Sequence, residues 1–451
     1  MASASSTENA EEDAVLPAKP PFLRRVRIRG YKSIAFCDVT LEPFTILVGR
    51  NASGKSNFLD ALAFLRDVMA LGVTEAVKRR GGWSMIACRT LPTQKIEIAL
   101  EAGYTPSDSQ SLADSNGLSD AASPHHEGQA FSARYQLDVS TNSYSAPVID
   151  RESLEITDPF GRRTAHYIIS GGRVEQAVTT EPEWIGPFTQ VAPLPTLQER
   201  SLLGIIAAPP IGDLWDGVRQ MAFYNFLPAA MRPLQRPMLG QLLDQHGSNL
   251  SSVLADISKT EPWAFERIGR YLSAVVPQIE RLAPVQYGEY QTTRFWLSPP
   301  KPDETLGFNA DSMSDGTLRV LAALTAVFQN VPPYGYPSVV GIEEPESALH
   351  PAAMRALVAA LDEATLRMQV LLTTHSPDLL DVEEVKPENV RVVQMIDGQT
   401  IIGPVDEASV EIVRRELNTL GGLERDNLLE PDLDDQDRQK HLGQARAEAP
   451  A

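Results

Sequence analysis

The octapeptide GRNASGKS, Gly49 to Ser56, constrains this chain more than any other stretch. It fits the pattern G-x-x-x-x-G-K-[ST] in full, and it stands between two elements that such a loop requires. The apolar run FTILVG, Phe44 to Gly49, reads as a buried strand, and Asn57 to Leu71 carries Phe58, Leu59, Leu62, Leu65 and Met69 at helical spacing. At a strand-to-helix turn of this kind the glycines let successive N–H groups curl around phosphate oxygens, and the helix N-terminus adds a favourable dipole. Lys55 supplies a charge for β and γ oxygens, and Ser56 supplies a hydroxyl suited to Mg2+. Gly49, Arg50, Asn51, Ala52, Ser53, Gly54, Lys55, Ser56 and Asn57 are therefore the expected contacts of a nucleoside triphosphate, with ATP the expected ligand.

A phosphate loop needs carboxylates opposite it, and SVVGIEEPESALHP, Ser338 to Pro351, ends an apolar strand in two adjacent acids. Glu343 is placed to hold Mg2+ together with Ser56, and Glu344 to polarise an attacking water as general base. Aspartate is usual at the first position, and Glu343 is one methylene longer. In LLTTHSPDLLD, Leu371 to Asp381, a second apolar strand ends at His375, about thirty residues beyond Glu344 with one helix between them. That spacing puts two strand ends side by side in a parallel sheet, with the imidazole near the γ-phosphate. No His or Cys cluster has metal-ligand spacing; His125 and His126 lie in a polar loop.

The segment MSDGTLR, Met313 to Arg319, precedes a helix and the acidic pair. With it the set resembles the ABC ATPase superfamily, whose signature motif has the form S-x-G-x-x-[RKQ]; Ser314, Gly316 and Arg319 match it. The closer resemblance is to the RecF/OLD-like branch of AAA-type ATPases, related to SMC heads but without long coiled coils. RIRGYKSI followed by FTILVGRNASGKSNFLDAL, then IEEPESALHP and TTHSPDLLD, carry that resemblance over about Phe22 to Gln94 and Phe308 to Thr419. HGSNLSSVLADI in the middle of the chain adds weaker similarity. The resemblance implies ATP hydrolysis after nucleotide-driven homodimerisation of heads, with Ser314, Gly316 and Arg319 capping the nucleotide of the opposite subunit and Ser347 to His350 lying between the two sites. Gln94 is the one candidate for the family's Q-loop glutamine. About seventy-five residues follow His375, and they contain no recognisable TOPRIM nuclease domain.

The expected fold is α/β: a parallel core sheet bearing the P-loop, an antiparallel β subdomain and a helical insertion. Alternating segments near Lys95 to Ala102, Phe131 to Val139, Val148 to Ile156 and Ala165 to Ile169 predict an antiparallel meander. Residues 1–21 read as a flexible leader, 22–220 as the N-terminal part of the head with a polar mobile loop at 105–129, and 221–290 as the helical insertion. Residues 291–419 read as the C-terminal part of the head and 420–451 as an acidic tail.

A formal charge of −19 argues against a whole-surface nucleic-acid platform and leaves local patches, Arg24 to Lys32 and Lys78 to Arg80, as the places where nucleic acid could touch. The first of these patches reads most simply as the solvated side chains of an edge strand. With two cysteines, no apolar stretch of spanning length and no secretion signal at the start, the expectation is a cytoplasmic protein without membrane contact. The function read from these residues is an Mg-dependent ATPase whose head dimerisation acts on DNA or on a partner effector, in DNA repair or anti-phage defence. The alternative is a slow-turnover ATP-binding module gating a separately encoded nuclease or toxin. A transporter subunit fits poorly, because no clear Q-loop is present.

Overall fold

A computed structural model describes residues 22–92, 94–105, 130–179, 196–206, 209–238, 240–298, 306–330 and 335–432. The leader, most of the loop at 105–129 with His125 and His126, and 433–451 lie outside them. Three sheets organise the described chain. The first has seven strands: β1 (Leu23–Tyr31), β2 (Ile34–Thr40), β4 (Ile96–Tyr104), β5 (Phe131–Thr141), β6 (Pro147–Thr157), β7 (Arg163–Ser170) and β8 (Arg173–Thr179). Its order is β2-β1-β4-β5-β6-β7-β8, with every neighbouring pair antiparallel. The four segments of the expected meander are thus β4 to β7, with β8 as a further strand, and the basic strand β1 lies inside the sheet, not at its edge. Period-two patterning leaves one side of a strand solvated whether or not both neighbours are present, so alternation alone could not distinguish the two positions.

The second sheet carries the P-loop. It comprises β3 (Phe44–Val48), β9 (Ala222–Tyr224), β13 (Val339–Glu343), β14 (Gln369–Thr374), β15 (Val390–Ile396) and β16 (Gln399–Pro404), in the order β16-β15-β3-β14-β13-β9. All pairs are parallel except the β15–β16 hairpin. Both faces are covered, as a parallel sheet requires. Phe44, Ile46 and Val48 face one core with the helices Asp315–Phe328 and Pro351–Ala364, while Leu47 joins the other core, shared with the helix Lys55–Leu71 and the seven-stranded sheet. The P-loop helix is therefore wedged between two sheets, and Phe58, Leu62, Phe64 and Leu65 on it are fully buried.

The third sheet, β10 (Ile279–Tyr287), β11 (Tyr290–Leu297) and β12 (Leu306–Asn309), is antiparallel and leads into the helix Asp315–Phe328. The segment 221–290 holds the two expected helices, Leu250–Thr260 and Pro262–Val275, and more besides. Its β9 is a strand of the core sheet, and β10 opens the third sheet. Residues 420–432 also differ from an acidic tail: Leu420–Arg425 is a helix, Leu420, Leu423 and Leu429 are buried, and Pro431 bridges Val405. Four carboxylates between 420 and 432 masked a short apolar stripe that finds its partners only in the folded head. No helix among the described residues is long and apolar enough to cross a membrane.

Candidate functional site

The P-loop is clasped from two sides before any side-chain chemistry is considered. Gly49 (φ +156°) lies so close to the Val393 carbonyl of β15 that a Cβ would come within 2.0 Å of it, and a Cβ on Gly54 (φ +105°) would meet the Thr400 hydroxyl of β16 at the same distance. Only glycine fits both the backbone angle and the space at Gly54. Thr400 donates to Ser53 O at 2.9 Å and shares a 2.6 Å hydrogen bond with Ser33, which also accepts from Asn57 Nδ2 at 2.6 Å. The turn between β1 and β2 and the β15–β16 hairpin thus hold the loop from outside its own sequence.

Lys55 opens the helix and is 5% exposed. Its Nζ donates to the carbonyls of Gly49 at 2.7 Å and Arg50 at 3.0 Å. Burial lowers its pKa, while the carboxylates of Glu344, Glu424, Glu346 and Glu343 pull the other way. Arg50, Asn51 and Ala52 are exposed, and Ser53 is buried with its hydroxyl unpartnered among the described residues. Ser56 Oγ donates to Glu343 Oε2 at the end of β13. Burial raises the Glu343 pKa, the Ser56 hydrogen bond opposes that rise, and Glu344 reinforces it.

Pairing of β13 with β14 sets Glu343 opposite Thr373, and β14 in turn sets Thr374 opposite Val48 of the P-loop strand. The register brings the acidic pair, His375 and the P-loop to one end of the sheet. Glu344 leaves the strand in the left-handed region (φ +43°) with its N–H on Thr373 O at 3.0 Å, and its Oε1 lies 3.2 Å from His375 Nδ1. The carboxyl end of a parallel sheet is where α/β proteins place ligands.

Ser314 caps the helix Asp315–Phe328, accepting from Thr317 N at 3.2 Å. Arg232 fixes the entry to that helix through Met313 O and Asp315 Oδ1, both at 2.7 Å. Arg319 is half-buried. Gly316 is pressed against the segment Ser347 to His350: a Cβ there would stand 2.6 Å from Ala348 O. The structure therefore places Gly316, two residues into the helix that Ser314 caps, beside the turn after the acidic strand. Gln94 is exposed and accepts from Trp83 Nε1 at 3.3 Å, and none of its hydrogen bonds among the described residues reaches the P-loop.

Residues 44–111 and 240–381 match the family model of an AAA domain described as a putative AbiEii toxin of a type IV toxin–antitoxin system. Those two stretches contain the P-loop, Ser314, the acidic pair and His375. A DNA replication and repair protein RecF from Gloeobacter violaceus is 38% identical over 89 residues, a match that takes in 18% of this chain and 24% of that protein. Over these stretches the chain is similar to RecF-like, ABC-type ATPases, and it spans about a quarter of the RecF protein that it matches. Solved structures similar to this chain include an SMC head bound to the C-terminal winged-helix domain of ScpA (TM-score 0.43, 14% identity, 86% of this chain and 99% of that one). The SMC head domain from Thermotoga maritima (0.36, 14%, 85% and 99%) and one from Pyrococcus furiosus (0.40, 12%, 88% and 99%) are similar too.

Several residues around the site escaped the sequence reading. Ser33 lies within RIRGYKSI but takes no role from that motif, and Thr400 carries no motif; pairing across more than 340 positions brings Thr400 to Ser33 and to the P-loop. Glu424, in the supposed acidic tail, faces Lys55 and Arg50 electrostatically; burial raises its pKa against their pull. Arg425 beside it binds Asp378 at 2.6 Å and Asp381 at 2.7 Å, docking the C-terminal helix on the turn after His375. The basic runs are largely spent on internal pairs. Arg25 holds Asp38 at 2.6 Å, Lys32 holds Asp60 at 2.6 Å, and Arg80 holds Asp60 and Asp67 at 3.0 and 2.9 Å.

Proposed function

We propose that this head binds ATP with Mg2+ on the P-loop and hydrolyses it, and that two heads close around two nucleotides as the turnover-competent form. The observation that carries the reading is the convergence of Lys55, Ser56, Glu343, Glu344 and His375 on one end of the parallel sheet. Residues 49–57 wrap the phosphates, with Lys55 exchanging its two loop carbonyls for β and γ oxygens. Ser56 Oγ and the Glu343 carboxylate, already in contact, form a hard-oxygen pair that suits Mg2+, which supplies neutralisation of phosphate charge when bound. Glu344 takes a proton from the attacking water as its oxygen bonds to the γ-phosphorus and the bond to the ADP oxygen breaks. His375 donates to the γ-phosphate and orients Glu344.

Ser314, Gly316 and Arg319 serve the nucleotide of the opposite head, so the site is complete only in the homodimer. The work done by closure is exerted on DNA or on a partner effector in repair or anti-phage defence, in the cytoplasm. The family description naming a toxin system favours a second reading, in which slow turnover gates a separately encoded nuclease or toxin. Calorimetric titration of ATP into the parental protein and Lys55→Ala tests the central claim. Loss of the one charge that reaches the β and γ oxygens is expected to weaken binding roughly 100-fold, and equal affinity would overturn the P-loop assignment. Turnover with and without DNA separates the two readings.

A further inference from the structure

Glu346 stands two residues past the proposed base and is 3% exposed, the most deeply buried carboxyl near the site. It lies in the turn after β13, and its own backbone helps close that turn: Leu349 N donates to Glu346 O at 2.9 Å, and Ser347 N to Glu344 O at 3.1 Å. The side chain reaches in the opposite direction. Its Oε1 accepts the hydroxyl of Thr374, the last residue of β14, and that hydroxyl in turn accepts from Ser376 N at 2.9 Å. Thr374 and Ser376 bracket His375. Glu346 Oε2 is sealed from solvent without a hydrogen-bond partner among the described residues.

A merely space-filling residue here would be apolar, because sealing a carboxyl from water without satisfying both oxygens is costly. What the carboxyl adds is directional: it fixes a hydroxyl that fixes the backbone on the far side of His375. The same turn is anchored at its other end, where Ala348 (φ +69°) lies against Gly316 of the signature segment. Contacts therefore run without a break from Gly316 through Ala348 and Glu346 to Thr374, Ser376 and His375, and His375 meets Glu344 at 3.2 Å.

We infer that Glu346 is a positioning residue that pins the turn carrying His375 to the turn after the acidic strand, which packs against Gly316 of the signature segment, so that the setting of His375 depends on that segment. The inference rests on the ATP-hydrolysing reading for its kinetic consequence, but the pin is a property of the folded chain and can be observed without turnover. Glu346 does not touch the phosphates; it acts through Thr374 and Ser376.

The test uses the full-length protein as Glu346→Ala, Thr374→Val, their double variant and Glu346→Gln. Removing either end of the pin is expected to lower kcat at least about tenfold while leaving KM for ATP within about twofold, because nucleotide contacts are intact. The double variant should be no slower than the slower single one, since both changes break one link. Glu346→Gln retains an oxygen that accepts from Thr374 and should recover part of the rate lost in Glu346→Ala. The imidazole proton resonance of His375, one of only seven histidines in the chain, should move in Glu346→Ala and Thr374→Val. Should Glu346→Ala fail to fold, Thr374→Val removes only a hydroxyl and carries the test. Parental kcat with an unmoved His375 signal, losses that multiply in the double variant, or a rise in KM matching the fall in kcat would each overturn the pin. A parental protein without turnover in which the His375 signal still moves would sink the ATPase reading and leave the pin standing.

Discussion

Glu344 Oε1 and His375 Nδ1 lie 3.2 Å apart at the ends of two neighbouring parallel strands. An imidazole therefore orients the carboxyl group from one side, and the side chain remains partly exposed. If Glu344 is the general base, Glu344→Gln keeps the shape and loses the proton acceptor, so nucleotide binding is expected to persist while turnover falls by about a hundredfold or more. Phosphate release measured beside ATP affinity checks this, and turnover at the parental rate would remove Glu344 from the role.

Sharing of sites between heads predicts complementation. Lys55→Ala and Ser314→Arg should each be inactive alone, since each homodimer has two broken sites. Mixed in equal amounts, their heterodimer gathers both lesions in one site and leaves the other whole, so ATPase activity should recover to roughly a quarter of parental when one site fires alone. Absence of recovery, together with a strict monomer of Glu344→Gln under saturating Mg·ATP in light scattering, would mean that Ser314 to Arg319 has been misassigned.

Glu152 predicts where the β lobe is most fragile. This fully buried carboxylate accepts from Tyr135 OH (3.1 Å), Tyr167 OH (2.7 Å), Ser201 Oγ (2.7 Å) and the amides of Leu202 (2.8 Å) and Leu203 (3.1 Å). Burial raises the pKa of both tyrosines, which keeps them as donors. Glu152→Leu removes the shared acceptor of five donors, of which Tyr135 OH and Ser201 Oγ keep only each other at 3.2 Å, and should cost on the order of 3–5 kcal/mol. A urea midpoint unchanged within error would show that the hub contributes nothing net.

Asp60 gives a pH dependence with a definite sign. Burial pushes its pKa up, but Arg80, Lys32 and the Tyr31 hydroxyl together hold it below the usual aspartate value. A depressed folded-state pKa means that its contribution to stability is complete above the unfolded value, near 4, and fades as pH falls through the lower, folded one. Asp60→Asn should therefore be less stable than the parent at neutral pH by about 1–3 kcal/mol, with the difference shrinking in acid below about pH 4. Thermal melts at pH 7 and pH 3 measure it; a constant difference would show that the ion pairs are not its source.

Sequence and tertiary structure divide the credit along a physical line. Elements whose signals are local were legible in the chain: the strand, loop and helix around Gly49 to Ser56, the helix Asp315–Phe328 and its Ser314 cap, and the order of apolar strands and helices that makes a parallel sheet. Their periodicity and turn chemistry lie within a few residues of each other. Pairings across the whole chain left no such mark. Nothing within β1 discloses that β2 and β4 flank it, nothing around Thr400 points to the P-loop, and the acids of 420–432 hide a stripe whose meaning depends on a surface built elsewhere. The sequence by itself determined which chemical groups this head possesses and the local turn that presents the phosphate-binding amides. Only the tertiary structure decided which groups meet, because strand register and the burial of Glu346 and Lys55 are set by contacts that form between distant segments only when the chain closes on itself.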